Sequence, residues 1–136
     1  MKIKTIEIRT NGEAFYEITE SIKKLMLDGD GLLHLFLPHT SCALCISEAF
    51  DPTAIGDVKK FFNYLVPRNL NFITHLTEGP DDSPSHMKSI LLHQSLSLMV
   101  ENGQLLLGKW QGIYLAEFRD QALTRKIHYK YLKDNV

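Results

Sequence analysis

His75-Leu76-Thr77-Glu78-Gly79-Pro80-Asp81-Asp82-Ser83-Pro84-Ser85-His86 gathers two imidazoles and three carboxylates around a Gly-Pro turn that runs straight into a helix start. So many nitrogen and oxygen donors are costly to hold together unless they are solvated, bound to a cation or used chemically. Neutral imidazoles suit zinc and related metals, and a third ligand from His39 would complete an open, catalytic-type site. His75 and His86 are eleven residues apart, so they meet only if the turn folds back. Otherwise the segment is a solvated acidic loop with two incidental histidines. Asp81 and Asp82 precede a helix N-terminus, where the macrodipole favours negative charge. That explains one of them, leaving Glu78 and the other aspartate for a cation or for general-base work. An anionic substrate would be repelled here without a cation, so a phosphate ligand implies a bridging metal ion.

A second group of candidates sits at strand ends, where a sheet fixes a side chain and a loop gives access to it. His39, in Pro38-His39-Thr40-Ser41, is either such a functional residue or a turn histidine bonding its own backbone. Gly108-Lys109-Trp110-Gln111-Gly112 flanks the only tryptophan with two glycines. It reads equally as a platform for a heteroaromatic ring and as a bulge with a packed Trp. Glu117 and Arg119 share a strand face, either as an ion pair or with Arg119 free to clamp a phosphate. Cys42 and Cys45 have the spacing of a redox or zinc motif, but three residues along a strand point to opposite faces. Two small core residues are expected there. His34 and His128 alternate with apolar neighbours as sheet-surface residues do, and His93, seven residues after His86, reads as a structural histidine on a similar helix face.

The elements that must position these residues follow from periodicity and punctuation. Residues 3–9 alternate as a strand, and Asn11-Gly12 turns the chain. Phe15, Ile18, Ile22, Leu25 and Met26 have helical spacing, with Asp28-Gly29-Asp30-Gly31 as the stop. Strands are expected over 32–37 and 42–47. Pro52 opens a second helix with Ile55, Val58, Phe62 and Leu65 on its apolar face, and Pro67 closes it. Ser83 is the expected N-cap of a third helix, with Pro84 at its first position. The remainder is strand-rich: 95–101, an Asn102-Gly103 hairpin turn, then 104–107, 111–118 and 124–131. About three helices in the first two-thirds and mostly antiparallel hairpins make one α+β domain over residues 1–136.

Composition sets the outer bounds. The chain of 136 residues is 44% hydrophobic and 23% charged, ordinary for a globular protein with one core. Fifteen basic against sixteen acidic residues predict neither a nucleic-acid nor a membrane surface. No apolar run approaches the roughly 20 residues of a spanning helix, and the opening reads as strand and not as a signal peptide. A cytoplasmic location is the expectation.

Three stretches together resemble the YjbQ-type family, also labelled secondary thiamine-phosphate synthases: His39-Thr40-Ser41, the run from Glu78 to His86, and Gly108–Leu115 with Glu117 and Arg119-Asp120. The resemblance covers nearly the whole chain. It implies a compact α+β sandwich, a homotrimer and a histidine-lined, metal-binding pocket. Carried over by position, the metal ligands would be His39, His75 and His86. Glu78, Asp82, Glu117 and Arg119 would be the catalytic groups, with Lys109, Trp110, Gln111, Thr40 and Ser41 around the substrate. The family often has a histidine where this chain has Phe118, which is expected to point into the core. The implied reaction joins an aminopyrimidine diphosphate to a thiazole phosphate and releases pyrophosphate. The divalent metal would be zinc, or magnesium with a phosphorylated small-molecule substrate. Two other expectations stand beside it: metal-assisted hydrolysis of a phosphate or other ester, with Glu78 or Asp82 as base, and a non-enzymatic trimer that binds a small molecule or a metal.

Overall fold

Alternating side chains and tight turns organise the chain into two antiparallel sheets, and the computed structural model describes residues 2–135 of it. In chain order the elements are β1 (Lys4–Asn11), β2 (Ala14–Glu17), α1 (Thr19–Lys23), β3 (Gly31–Phe36), β4 (Cys42–Glu48) and α2 (Pro52–Leu65). They continue with α3 (Asp82–Ser89), β5 (Ser95–Glu101), β6 (Gln104–Leu105), β7 (Gln111–Glu117) and β8 (Ala122–Lys133). The larger sheet has the order β1-β8-β3-β5-β6 and the smaller β2-β7-β4. Every strand pair is antiparallel. Asn102 and Gly103 both take positive φ, which matches the twist of the β5–β6 hairpin.

The main core lies between the sheets. Leu33 and Leu35 of β3, Leu98 and Val100 of β5 and Ile127 of β8 meet Cys42 and Leu44 of β4 and Ile113 and Leu115 of β7, with Ile18 and Ile22 beside them. Alternation sends Ala43, Ala116 and the adjoining Phe118 to the other face of the smaller sheet, where Phe62 of α2 covers them. Phe15, Phe62 and Phe118 form an aromatic triad with ring centroids 5.9–6.1 Å apart. Phe118 thus points into a core, as its alternation predicts. Among the described residues the result is a single α+β domain with three helices, α2 covering the outer face of the smaller sheet.

Several local expectations need correction. Phe15 is not helical: it pairs with Ala116 in β2, because the edge of β7 offers a hydrogen-bonded partner that overrides the helical spacing. Only Thr19–Lys23 of that segment is helix. Pro52 does open α2, as expected, with Asp51 as the N-cap accepting from the Thr53 N–H at 3.0 Å. Leu65 is exposed, and Val66 is buried in its stead. Ser83 lies inside α3, whose N-cap is Asp81. His93 lies beyond the end of α3 and exchanges backbone hydrogen bonds with Leu44 on the edge of β4. Cys42 and Cys45 are both buried and free. Burial pushes their thiols up to about 12 and about 11, so both stay protonated, as packed residues do.

Candidate functional site

The turn before α3 does fold back. Gly79 has φ +107°, a left-handed conformation that a side chain would strain, and Pro80 then leads into Asp81 and Asp82. Asp82 and His86 stand one helical turn apart on α3 and share a face. His75 reaches the same face from the preceding loop. One carboxylate oxygen, Asp82 Oδ2, lies 2.7 Å from His75 Nε2 and 3.1 Å from His86 Nε2. The three donor atoms lie within 4.8 Å of one another. Asp82 is buried while His75 is exposed and His86 is partly so, leaving the cluster open on one side.

The donor set could hold a divalent ion. His86 Nδ1 sits 2.9 Å from the Thr40 carbonyl oxygen, which can only accept, so Nδ1 carries a proton. That bond directs Nε2 at Asp82 Oδ2, where an unprotonated nitrogen and a carboxylate would repel. Either a second proton or a shared cation must lie between them. A backbone carbonyl holding the far nitrogen of a histidine is also how ligand tautomers are usually fixed. The two separations from Asp82 Oδ2, 2.7 and 3.1 Å, are shorter than the roughly 3.4 Å expected around a four-coordinate ion with ~2.1 Å bonds, so a bound ion would draw the three donors slightly apart.

Arg119 anchors the cluster from behind. Its Nε donates to Asp81 Oδ2 at 2.9 Å, its Nη1 to Asp82 Oδ1 at 2.8 Å and its Nη2 to the Glu78 carbonyl at 2.9 Å. All three nitrogens are engaged with these oxygens, so Arg119 positions Asp82. β7 ends at Glu117, so Arg119 lies past the strand and pairs with the aspartates instead of with Glu117. Burial acts to raise both aspartate carboxyls, but for Asp82 the His75 hydrogen bond and the charges of His86 and Arg119 prevail. For Asp81 the bonds from Arg119 and the Asp120 N–H prevail, and both carboxyls are held below their ordinary range. Asp81 turns to these donors, which explains why its side chain makes no capping bond to α3.

Other expected site residues are placed differently. His39 is outside the three-residue cluster: its Nε2 accepts from the Lys126 N–H at 2.9 Å. It shares with Thr40, Gln94 and His86 a recess beside the cluster. Glu117 is fully buried and paired with Arg125 of β8, with Thr10 Oγ1 donating to it at 2.6 Å, so it closes the end of the inter-sheet core. Ser41 belongs to that same network. Glu78 is exposed on the turn. Trp110, Gln111 and Lys109 lie at the opposite end of β7 from Glu117, roughly 20 Å along a strand of this length. There Trp110 packs edge-on against Phe50, and Lys109 covers its ring. Within the chain, Trp110 and Gln111 are therefore not brought to the histidines. Arg125 was not among the expected residues; its signal was a charged side chain in register with Ile127 on the inward face of a strand.

Comparison with known proteins identifies the group to which this architecture belongs. The family model described as "UPF0047 protein YjbQ-like" matches residues 4–134. The chain belongs to the YjbQ family. It is 41% identical over 128 residues to the UPF0047 protein YjbQ of Escherichia coli O157:H7, covering 91% of this chain and 92% of that one. With the protein of the same name from Salmonella typhimurium it shares 47% over 111 residues, 82% and 80% of the two chains. The solved structure of a conserved hypothetical protein from Thermus thermophilus superposes with a TM-score of 0.87 at 36% identity, covering 95% of this chain and 99% of the other. Among the described residues, no helix is long and apolar enough to cross a membrane.

Proposed function

We propose that this YjbQ-family chain is a metal-dependent enzyme that acts on a phosphorylated small molecule, with His75, Asp82 and His86 as the ligands of a divalent ion. Zinc is favoured by the two imidazoles, and magnesium is the alternative when substrate phosphate oxygens complete the shell. The observation that carries the reading is Asp82 Oδ2, drawn between two imidazole nitrogens at 2.7 and 3.1 Å while Arg119 holds the other oxygen of the same carboxylate. This revises the ligand set implied by the family resemblance: Asp82 stands in for His39.

The leading reaction is the secondary thiamine-phosphate synthase type, in which an aminopyrimidine diphosphate couples to a thiazole phosphate with loss of pyrophosphate. A bound divalent ion would supply charge neutralisation to the leaving diphosphate. The chain's own residues have narrower tasks. Arg119 keeps Asp82 ionised and oriented. Thr40, through its carbonyl, sets the His86 tautomer. Glu78, exposed on the turn, is the carboxylate free to accept a proton from a reacting group.

Hydrolysis of a small phosphate ester is the second reading. It is favoured by the position of Trp110, which packs against Phe50 at the end of β7 far from Glu117 and so away from the cluster. The homotrimer is part of the first reading, because a neighbouring subunit could bring its own Trp110 end to the cluster. The exposed Leu76, Ile90 and Leu91, next to the site in the chain, are consistent with such an interface.

The test is pyrophosphate release from the two coupling substrates with zinc or magnesium present. Release that disappears with chelator, in His86→Ala and in Glu78→Gln supports the synthase reading. Phosphate release from simple monoesters with no coupling supports the hydrolase. Neither activity, with ligand binding retained, overturns both in favour of a binding protein.

A further inference from the structure

Arg125 is a cationic side chain only 6% exposed, held by Glu117 and Ser41. Its Nε donates to Glu117 Oε1 at 2.7 Å, and its Nη2 donates to Glu117 Oε2, to Ser41 Oγ at 2.9 Å and to the Ser41 carbonyl at 3.3 Å. Nη1 has no protein partner among the described residues. No enclosed side-chain nitrogen or oxygen lacks one there, so Nη1 is the part of the guanidinium that reaches the surface. It does so in a cleft of ≈ 520 Å³ whose walls include Leu37, Pro38, His39, Thr40 and Gln94.

The polar groups of this cleft are matched to an oxyanion. None of the described residues that line it carries a carboxylate. His39 Nε2 accepts from the Lys126 N–H, so the neutral ring carries its proton on Nδ1, which has no partner among the described residues. Thr40 Oγ1 is likewise without one. A carboxylate ligand prefers two parallel bonds from one guanidinium, and Arg125 has only Nη1 to give. A tetrahedral phosphate, which can take single bonds from separate donors, suits the set better. Because Glu117 already balances the charge of Arg125, recognition depends on direct contact and not on a long-range field.

The cleft also leads to the metal cluster. His39, Thr40 and Gln94 line both it and the neighbouring recess that contains His86. We propose that Arg125 Nη1, with His39 Nδ1 and the Thr40 hydroxyl, forms a phosphate-anchoring subsite separate from the metal ligands, so that the substrate carries its anchoring phosphate on a different part of the molecule from its reacting group. This deepens the proposed function and rests on it for the reacting group, but the subsite itself needs no metal.

The test is therefore made on chelator-treated full-length protein, following backbone amide shifts with inorganic phosphate in one titration and acetate in another. Phosphate is expected to give saturable shifts at Thr40, Ser41, Gln94 and Lys126, and acetate markedly weaker ones. Arg125→Lys keeps a cation beside Glu117 but loses Nη1, and weakens phosphate binding about tenfold, the value of one charge-assisted hydrogen bond. Thr40→Val alters only an exposed side chain, and weakens binding severalfold even if Arg125→Lys does not fold. His75→Ala/His86→Ala retains it. Phosphate shifts confined to Asp82 and His86, unchanged affinity in Thr40→Val, or acetate binding as tightly as phosphate would overturn the subsite. Failure of the metal-dependent activity alone leaves these expectations intact and refutes only the functional reading.

Discussion

Replacing Arg119 with methionine tests the clamp behind the His75–Asp82–His86 cluster. The side chain is 11% exposed and faces carboxylates that are 7% and 6% exposed, so its ion pairs are largely shielded from solvent. Arg119→Met preserves much of the volume but removes three hydrogen bonds, two of them to ionised partners. Asp81 keeps the Asp120 N–H, and Asp82 keeps His75 and His86. Removing one partner of a buried pair costs about 3–5 kcal/mol, and the retained contacts place the loss near the lower end. For a chain of this size that is roughly 10 °C in Tm. The pH dependence carries a sign. Both aspartates are depressed in the folded protein, so their contribution is present above the unfolded carboxyl value of about 3.9 and is lost as pH falls through the folded values. The variant should thus lose stability at neutral pH, and its acid unfolding should begin at a higher pH than that of the parent. Urea melts of chelator-treated protein between pH 3 and 7 measure both. A loss below about 1 kcal/mol with an unshifted acid limb would refute the clamp.

Other consequences can be checked separately. At pH 8 Cys42 and Cys45 should react with a thiol reagent at least about a hundredfold more slowly in the folded protein than in denaturant, since burial keeps both protonated; rapid native labelling would contradict the core assignment. Phe118→Ala should cost about 3–5 kcal/mol by opening the aromatic triad between β7 and α2, measured by urea melts. Trp110→Ala should leave metal content unchanged within one subunit's site; loss of metal in that variant would mean that a neighbouring subunit's tryptophan end supports the cluster.

Much of the fold was legible because its signals are local. Period-two alternation over 95–101, the Asn102-Gly103 turn and the Pro52 and Pro67 limits of α2 each act through a few adjacent residues. Phe15 was misread because its fate depends on Ala116, about a hundred residues away, and helical spacing says nothing of that partner. The candidate site divides in the same way. His75 and His86 were visible as a pair because the glycine-proline turn predicts reversal. Of Asp81 and Asp82, one was expected to serve the helix N-terminus and the other a cation or a base; that Asp82 is the one meeting both imidazoles depends on how the turn folds back, which spacing does not give. Arg119 and Glu117 looked like neighbours on one strand, yet β7 ends between them and each finds a partner from a different element. Arg125 was overlooked, although a charge in register with Ile127 is a strong sign of a buried pair.

The central claim is the divalent ion at His75, Asp82 and His86. Elemental analysis by plasma mass spectrometry, on protein purified without chelator or an affinity-metal step, measures it most directly when repeated on His75→Ala/His86→Ala. The expected result is close to one zinc or other divalent ion per chain in the parent and almost none in a variant that keeps its thermal stability within about 1 kcal/mol of the chelated parent. An equal metal content in both proteins, or none in the parent even after zinc is supplied, would contradict it.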